Sequence, residues 1–445
     1  MKNRVAYFLY YVKYHKRKCV ATGVNAMLLI TALVGNAMDV SHMSFKGEDG
    51  IHWATVGAFV VIVLNLLWSL YDDFLAEVFE NRGVRLGINP SLDIVDELVF
   101  DEQDEKSVEV GVQRACFRPD VNSMLIRETG LRIEEDENVP KDISKFIRKH
   151  REDLFAFLRK RYKESNSEHK MFFNEKKLCL TYSLQGNMTS EKSVAKIHKG
   201  CYYDTFLTNI CSTKKLENNT ENIVLYDGKL HYPHAGKKLK PLEISHMNNE
   251  IGISTIAFTN DNNIVIWESN ERAQIQGHQL VPSGSGSADW KDREGKKTLS
   301  EVICYSMERE LKEECSLLQY AESQEKKISE TRIIGYWRWL NKGGKPEFCG
   351  VTKLDCGITQ IHENEEEVCE RDEGHYSLSD FGLNADGIVA FVDMMLAKNK
   401  TKDGDSMSLP LYMNLLFLKQ YILTEDLGHL DVEEQKKRVA FLLGE

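Results

Sequence analysis

The sequence predicts a two-part protein. A membrane α-helical hairpin of two transmembrane helices comes first, and a cytoplasmic α+β domain follows, with a mixed sheet between helices. Three observations predict this. Two long stretches without charged residues stand near the N-terminus, at residues 19–38 and 50–71. Strand patterns at "GISTIAFT" and "IVIWES" precede a helical segment that ends at Glu314, and more strand patterns follow it. Two apolar helical stretches close the chain.

A chain of 445 residues is too long for one compact domain. Its formal net charge of -11 argues against a nucleic-acid polymer as partner, because a phosphate backbone selects basic surfaces. The ten cysteines contain no C-x-x-C pair, so zinc-ligand spacing is absent and reduced, mostly buried thiols are expected.

Residues 1–18 form a basic N-terminus carrying Lys2, Arg4, Lys13, Lys16, Arg17 and Lys18. Residues 19–72 hold the two apolar stretches, each about the length that crosses a hydrocarbon core of roughly 30 Å. Trp53, Trp68 and Tyr71 sit near the ends of the second, as an aromatic belt requires. A second apolar run so soon after the first argues against a signal peptide. The loop "DVSHMSFKGED" is acidic, so the positive-inside rule places both termini in the cytoplasm of a multi-pass inner-membrane protein. Asn25, Asn36 and the small residues Gly23, Ala26, Ala32, Gly35 and Ala37 suit helix–helix contact in a bilayer, which points to a homo-oligomer; a simple hairpin anchor is the alternative.

Residues 73–165 read as an acidic linker and then an amphipathic helix, with Ile143, Phe146, Ile147, Leu154, Phe155 and Leu158 at helical spacing. Residues 166–250 read as an extension packing on the last domain, with strands at "KLCLTYSL" and "NIVLYDGKLHY". Residues 251–445 form that domain. Within it, "TRIIGYWRWL" and "EFCGVTKLD" are strands around the turn "NKGG".

The chemistry concentrates in "GKKTLSEVICYSMERELKEECSL". Val302–Glu314 lacks Gly and Pro and is predicted helical. Cys304, Met307, Leu311 and Cys315 fall on one apolar stripe. Glu310, Glu313 and Glu314 fall at i, i+3 and i+4 on a neighbouring face. Three carboxylates on one turn repel each other unless a cation joins them, and a hard divalent ion takes oxygen ligands and bridges to phosphates. An acidic, solvated helix face is the other reading of the same spacing.

The segment resembles the Nudix box, G-x5-E-x7-R-E-U-x-E-E-x-G-U, where U is aliphatic. Gly295, Glu301, Arg309, Glu310, Leu311, Glu313, Glu314 and Leu317 match in register, and Ser316 stands where the family has Gly. The resemblance implies the Nudix fold and Mg²⁺ (or Mn²⁺) held by Glu310, Glu313 and Glu314. It implies that Glu313 or Glu314 is the main ligand, with Glu310 orienting or deprotonating the attacking water. Arg309 would orient these carboxylates and Glu301 would brace the helix start. A backbone carbonyl ligand would come from Gly284 and Gly286 in "SGSGS" or from Gly295. A further acidic ligand would come from Glu365, Glu366 or Glu367.

Two spans joined to a divergent Nudix domain resemble the membrane effectors of CBASS, the bacterial anti-phage systems built on cyclic-oligonucleotide signals. That resemblance implies a Nudix domain that senses a cyclic nucleotide made by a partner nucleotidyltransferase, and spans that disrupt the inner membrane. The alternative is a membrane-tethered Mg²⁺-dependent hydrolase cleaving a nucleoside diphosphate linked to another group.

Overall fold

The computed structural model describes residues 6–7, 9–14, 84–88, 106–168, 172–218, 224–228, 234–235, 238–269, 279–318, 329–364, 368–369, 375–399, 407–423 and 431–444. The chain divides into two compact units. In the first, Met1–Arg85 with Leu216–Leu225, Tyr7, Tyr10, Tyr11 and Tyr14 are buried at helical spacing, and the Tyr10 and Tyr14 rings lie 5.1 Å apart.

The second unit, Leu86–Lys215 with Tyr226–Glu445, carries everything that follows. Strands β1 (Lys106–Val110) and β2 (Gln113–Phe117) pair as a hairpin, and helix α1 (Pro119–Arg127) comes next. A three-stranded sheet is built from β3 (Arg132–Glu135), β4 (Lys176–Leu180) and β5 (Val194–Cys201), in the order β3–β5–β4. Helices α2 (Val139–Lys149) and α3 (Arg151–Glu168) lie between β3 and β4 in sequence. The single amphipathic run expected there is thus broken at His150, where the backbone leaves the helical region.

The main sheet adds β6 (Gly252–Phe258), β7 (Asn263–Val265), β8 (Gly284–Ser287), β9 (Ser329–Trp339), β10 (Lys345–Leu354) and β11 (Tyr376–Ser377) to the first hairpin. Its order is β11–β7–β6–β10–β9–β2–β1, with β8 beside the first half of β6. Strands β6 and β10 run parallel, so the sheet is mixed. Every residue of β6 is buried, as expected of a strand covered on both faces.

One cover is helix α4 (Leu299–Glu314) with α1, packed on Ile253, Ile333, Tyr336 and Phe348. The other is the C-terminal group α5 (Ala385–Lys398), α6 (Leu409–Leu423) and α7 (Val432–Leu443), packed on Ile256, Ile334, Trp337 and Val351. Asn384 and Asp431 cap α5 and α7 by accepting backbone N–H bonds. A Cβ at Gly335 would lie 2.1 Å from the Phe417 ring, so glycine lets α6 sit down where the β9–β10 register shifts.

The fold class is corrected by these elements. The second unit is an α/β structure in which the hairpin β1–β2, expected in a linker, forms one edge of the main sheet. Among the described residues no helix is long and apolar enough to cross a membrane. Helix α6 is apolar but has 15 residues, about 22 Å against the roughly 30 Å of a bilayer core. Helix α3 has 18 residues but is strongly charged. The membrane hairpin and the multi-pass inner-membrane location are therefore not supported. The segments 19–38 and 50–71 that prompted them lie outside the described residues.

His198 gives the fold a measurable pH dependence. It is fully buried in β5, with Nδ1 2.9 Å from the Thr181 hydroxyl, and burial pulls its pKa from 6.5 down to about 4. The unfolded chain takes up this proton near 6.5, the folded one only near 4. Stability from the neutral ring is complete above pH 6.5 and is lost as pH falls towards 4, at about 1.4 kcal/mol per pH unit. Urea unfolding at about pH 7.5 and pH 5 should show the wild type weakening by about 2 kcal/mol more than His198→Gln. Equal pH dependence in the two proteins would contradict this role.

Candidate functional site

The site grows from a strand, a turn and a helix that follow one another. Strand β8 pairs antiparallel with β6, Gly252 opposite Ser287 through Thr255 opposite Gly284. The chain then makes a 3-10 turn at Trp290–Arg293, closed by reciprocal bonds between Asp289 and Asp292. Gly295 follows at φ +75, a left-handed position that glycine adopts without strain. Thr298 caps α4: its hydroxyl accepts the Glu301 N–H at 3.2 Å, and Glu301 accepts the Thr298 and Lys297 N–H groups at 2.9 and 2.8 Å. Those backbone bonds hold the Glu301 carboxyl below its ordinary range.

Gly284 and Gly286 lie where strand and helix touch. A Cβ at Gly284 would stand 2.6 Å from Leu311 Cα, and one at Gly286 would stand 2.5 Å from the Glu310 carboxyl carbon. Gly295 has nothing within 4 Å of its would-be Cβ. Glu301 and Glu310 are about 13 Å apart along the helix axis. The structure thus brings Gly284 and Gly286 to the carboxylates, and it leaves Gly295 and Glu301 to the approach and start of the helix.

Arg309 is the hub, and each of its five N–H donors has an acceptor. Nε and NH2 grip Asp292 at 3.1 and 3.0 Å, NH1 reaches Glu310 at 2.9 Å and Glu313 at 3.3 Å, and NH2 also donates to the Ser287 carbonyl at 3.2 Å. Burial works against the charge of Arg309, but Glu310, Asp292 and Asp289 outweigh it and hold the guanidinium firmly protonated. Asp292 is itself buried and also accepts the Ser306 hydroxyl at 2.9 Å and the Asp289 N–H at 2.9 Å.

Burial raises the Glu310 carboxyl to about 7, with Arg309 opposing the shift and Glu313 adding to it. Glu314 is buried and accepts the Ser285 N–H at 2.8 Å, which ties α4 to β8. Lys177 of β4 stands 2.7 Å from Asp289. Four carboxylates (Asp289, Asp292, Glu310, Glu313) thus gather around Arg309, with Lys177 on Asp289 and Glu314 turned to the Ser285 N–H. The excess of negative charge is the chemistry that attracts a divalent ion.

Sequence reasoning missed Asp289, Asp292 and Lys177. The first two carried a signal, since "DWKD" has the spacing of a capping box. Lys177 carried none, because only the fold brings β4 to the turn.

The end of α4 accounts for Ser316. It sits at φ +51, the left-handed conformation the family glycine would supply. The Leu317 N–H returns to the Lys312 carbonyl at 2.8 Å, and the Ser316 hydroxyl donates to the Glu363 carbonyl at 3.1 Å. Asn364 N–H caps the Glu314 carbonyl at 3.0 Å, so a later loop closes on the helix end. Glu365, Glu366 and Glu367 lie outside the described residues.

Among the described residues no group of three or more His, Cys, Asp or Glu side chains is arranged to hold a metal ion. The donor chemistry of Glu310, Glu313 and Glu314, all carboxylate oxygen, suits Mg²⁺ or Mn²⁺.

No protein-family model and no curated protein matches the chain. Among solved structures, the crystal structure of DR0079 from Deinococcus radiodurans is similar at 12% identity, with a TM-score of 0.24, over 38% of this chain and 81% of that one. So low a score carries no weight for fold or function. The Nudix resemblance therefore rests on the box.

The two strand glycines should differ on substitution. Gly284→Ala pushes a methyl into helix backbone and should cost about 1–3 kcal/mol in urea unfolding. Gly286→Ala meets only the end of the Glu310 side chain, which can rotate, and should cost less. The reverse ranking would contradict the observed contact.

Proposed function

We propose that this chain hydrolyses a phosphoanhydride bond in a nucleotide with the help of Mg²⁺ or Mn²⁺, as its box resembles that of Nudix proteins. One observation carries the reading. Arg309, anchored on buried Asp292, gathers Glu310 and Glu313 on the helix face that meets the glycine strand.

Glu310, Glu313 and Glu314 would hold the ion. When bound, it polarises a phosphoryl oxygen and acidifies its water. The residues of the chain do the rest. Glu310, largely desolvated beside Glu313, takes the proton of the attacking water. The water oxygen forms a bond to phosphorus, and the bridging P–O bond breaks with its electron pair on the leaving phosphate. Arg309 keeps the two carboxylates from separating as charge moves. Gly284 and Gly286 let α4 lie close against β8.

A second reading has an observation in its favour. Arg309 already pairs with both Glu310 and Glu313, which suits a site that binds a cyclic nucleotide without cleaving it. The full chain, incubated with Mg²⁺ and a panel of nucleoside-diphosphate compounds and cyclic di- and trinucleotides, separates the two. The first reading expects a phosphorylated product and a loss of turnover of about 100-fold or more in Glu310→Gln. Tight cyclic-nucleotide binding without product selects the second reading, and neither binding nor product refutes both.

A further inference from the structure

The inference rests on the hydrolytic reading and concerns strand β4, which lies outside the box. Its backbone is joined to the strand that precedes the turn: Leu178 N–H donates to the Ala288 carbonyl at 2.9 Å, and Lys177 and Asp289 form a β-bridge. The Lys177 ammonium is 2.7 Å from Asp289 Oδ1, and each side chain is only 12% exposed. The other Asp289 oxygen is 3.9 Å from Arg309 NH2. Lys291 also approaches Asp289, at 3.6 Å, but its side chain is 67% exposed and its pull is screened by water. Two more carboxylates attract Lys177: Glu175, on the solvent side at 3.0 Å with 58% exposure, and buried Glu250.

Arg309 therefore stands between two acidic pairs. Asp292 and Asp289 face it on one side, Glu310 and Glu313 on the other. A carboxylate as buried as Asp289 needs a cation close by. While Lys177 neutralises Asp289, the guanidinium is left to the helix carboxylates. Without Lys177, Asp289 competes for Arg309 from less than 4 Å away.

We propose that Lys177 is a positioning residue of the hydrolytic site: by satisfying Asp289 it keeps Arg309 on Glu310 and Glu313. The segment before the box is then part of the catalytic unit, and a change in how β4 packs would be felt at the carboxylates.

The test uses the full chain with four variants: Lys177→Met, Lys177→Arg, Asp289→Asn, and Lys177→Met combined with Asp289→Asn. Mn²⁺ binding is measured by calorimetry, with kcat and KM for the substrate found in the panel and a thermal unfolding curve for each protein. Lys177→Met is expected to weaken Mn²⁺ binding and lower kcat by about 10–100-fold, with KM changing far less. Lys177→Arg should restore most of the loss. The double variant should lose less than Lys177→Met, because no unsatisfied Asp289 remains to draw Arg309 away. Should Lys177→Met fail to fold, Lys177→Gln takes its place, with the same expected loss and the same overturning result. Wild-type Mn²⁺ affinity and kcat in folded Lys177→Met, or a double variant as poor as the two single losses combined, overturns it. A wild type that neither binds Mn²⁺ nor cleaves any compound overturns the hydrolytic reading and this proposal with it. An active wild type with an unaffected Lys177→Met overturns this proposal alone.

Discussion

The site depends on where the guanidinium of Arg309 is held. Asp292 is almost wholly buried, and two contacts of about 3 Å fix the guanidinium against it. That leaves NH1 to bridge Glu310 and Glu313, which would otherwise repel each other across one turn of helix. The Ser287 carbonyl takes the remaining donor, so the same side chain fastens helix to strand. A lysine could not make this set of bonds, because it lacks the planar fork that reaches four partners at once.

The fold provides what the hub requires. Close approach of α4 to β8 depends on Gly284, since a side chain there would meet the Leu311 backbone, and Gly286 leaves room for the end of the Glu310 side chain. The segment before the box holds both ends of this assembly. Leu131 accepts the Leu299 N–H at the start of α4, and β4 hydrogen-bonds the residue that follows β8. A polar row continues the connection inward: Thr205 donates to buried Glu250 at 2.9 Å, and Ser287 donates to the same carboxylate. Positions far apart in sequence thus share one electrostatic unit.

Much of this was legible from residue patterns. Helix α4, strands β6, β9 and β10 with their Asn341–Gly344 turn, and helices α5 and α6 all follow from periodicity and turn residues. The carboxylate face followed from i, i+3, i+4 spacing. The place of hairpin β1–β2 on the main sheet was not legible, because its pairing to Trp339 spans more than two hundred residues and leaves no local mark. Lys177 escaped for the same reason. Apolar length, with Trp53, Trp68 and Tyr71 near the ends of the second stretch, prompted a membrane reading of residues 19–38 and 50–71, and nothing in the described part of the chain supports it. Ser316 shows the opposite lesson: it stands where the box has glycine and adopts a left-handed backbone.

The central claim is that the α4 carboxylates form a cation site organised by Arg309. Crystals of the protein grown with Mn²⁺, measured at the manganese absorption edge, test it most directly. The account predicts an anomalous peak bonded to oxygens of Glu310, Glu313 and Glu314, with Arg309 still on Asp292. No peak there, or a peak on other residues with Arg309 unmoved between Glu310 and Glu313, would contradict it.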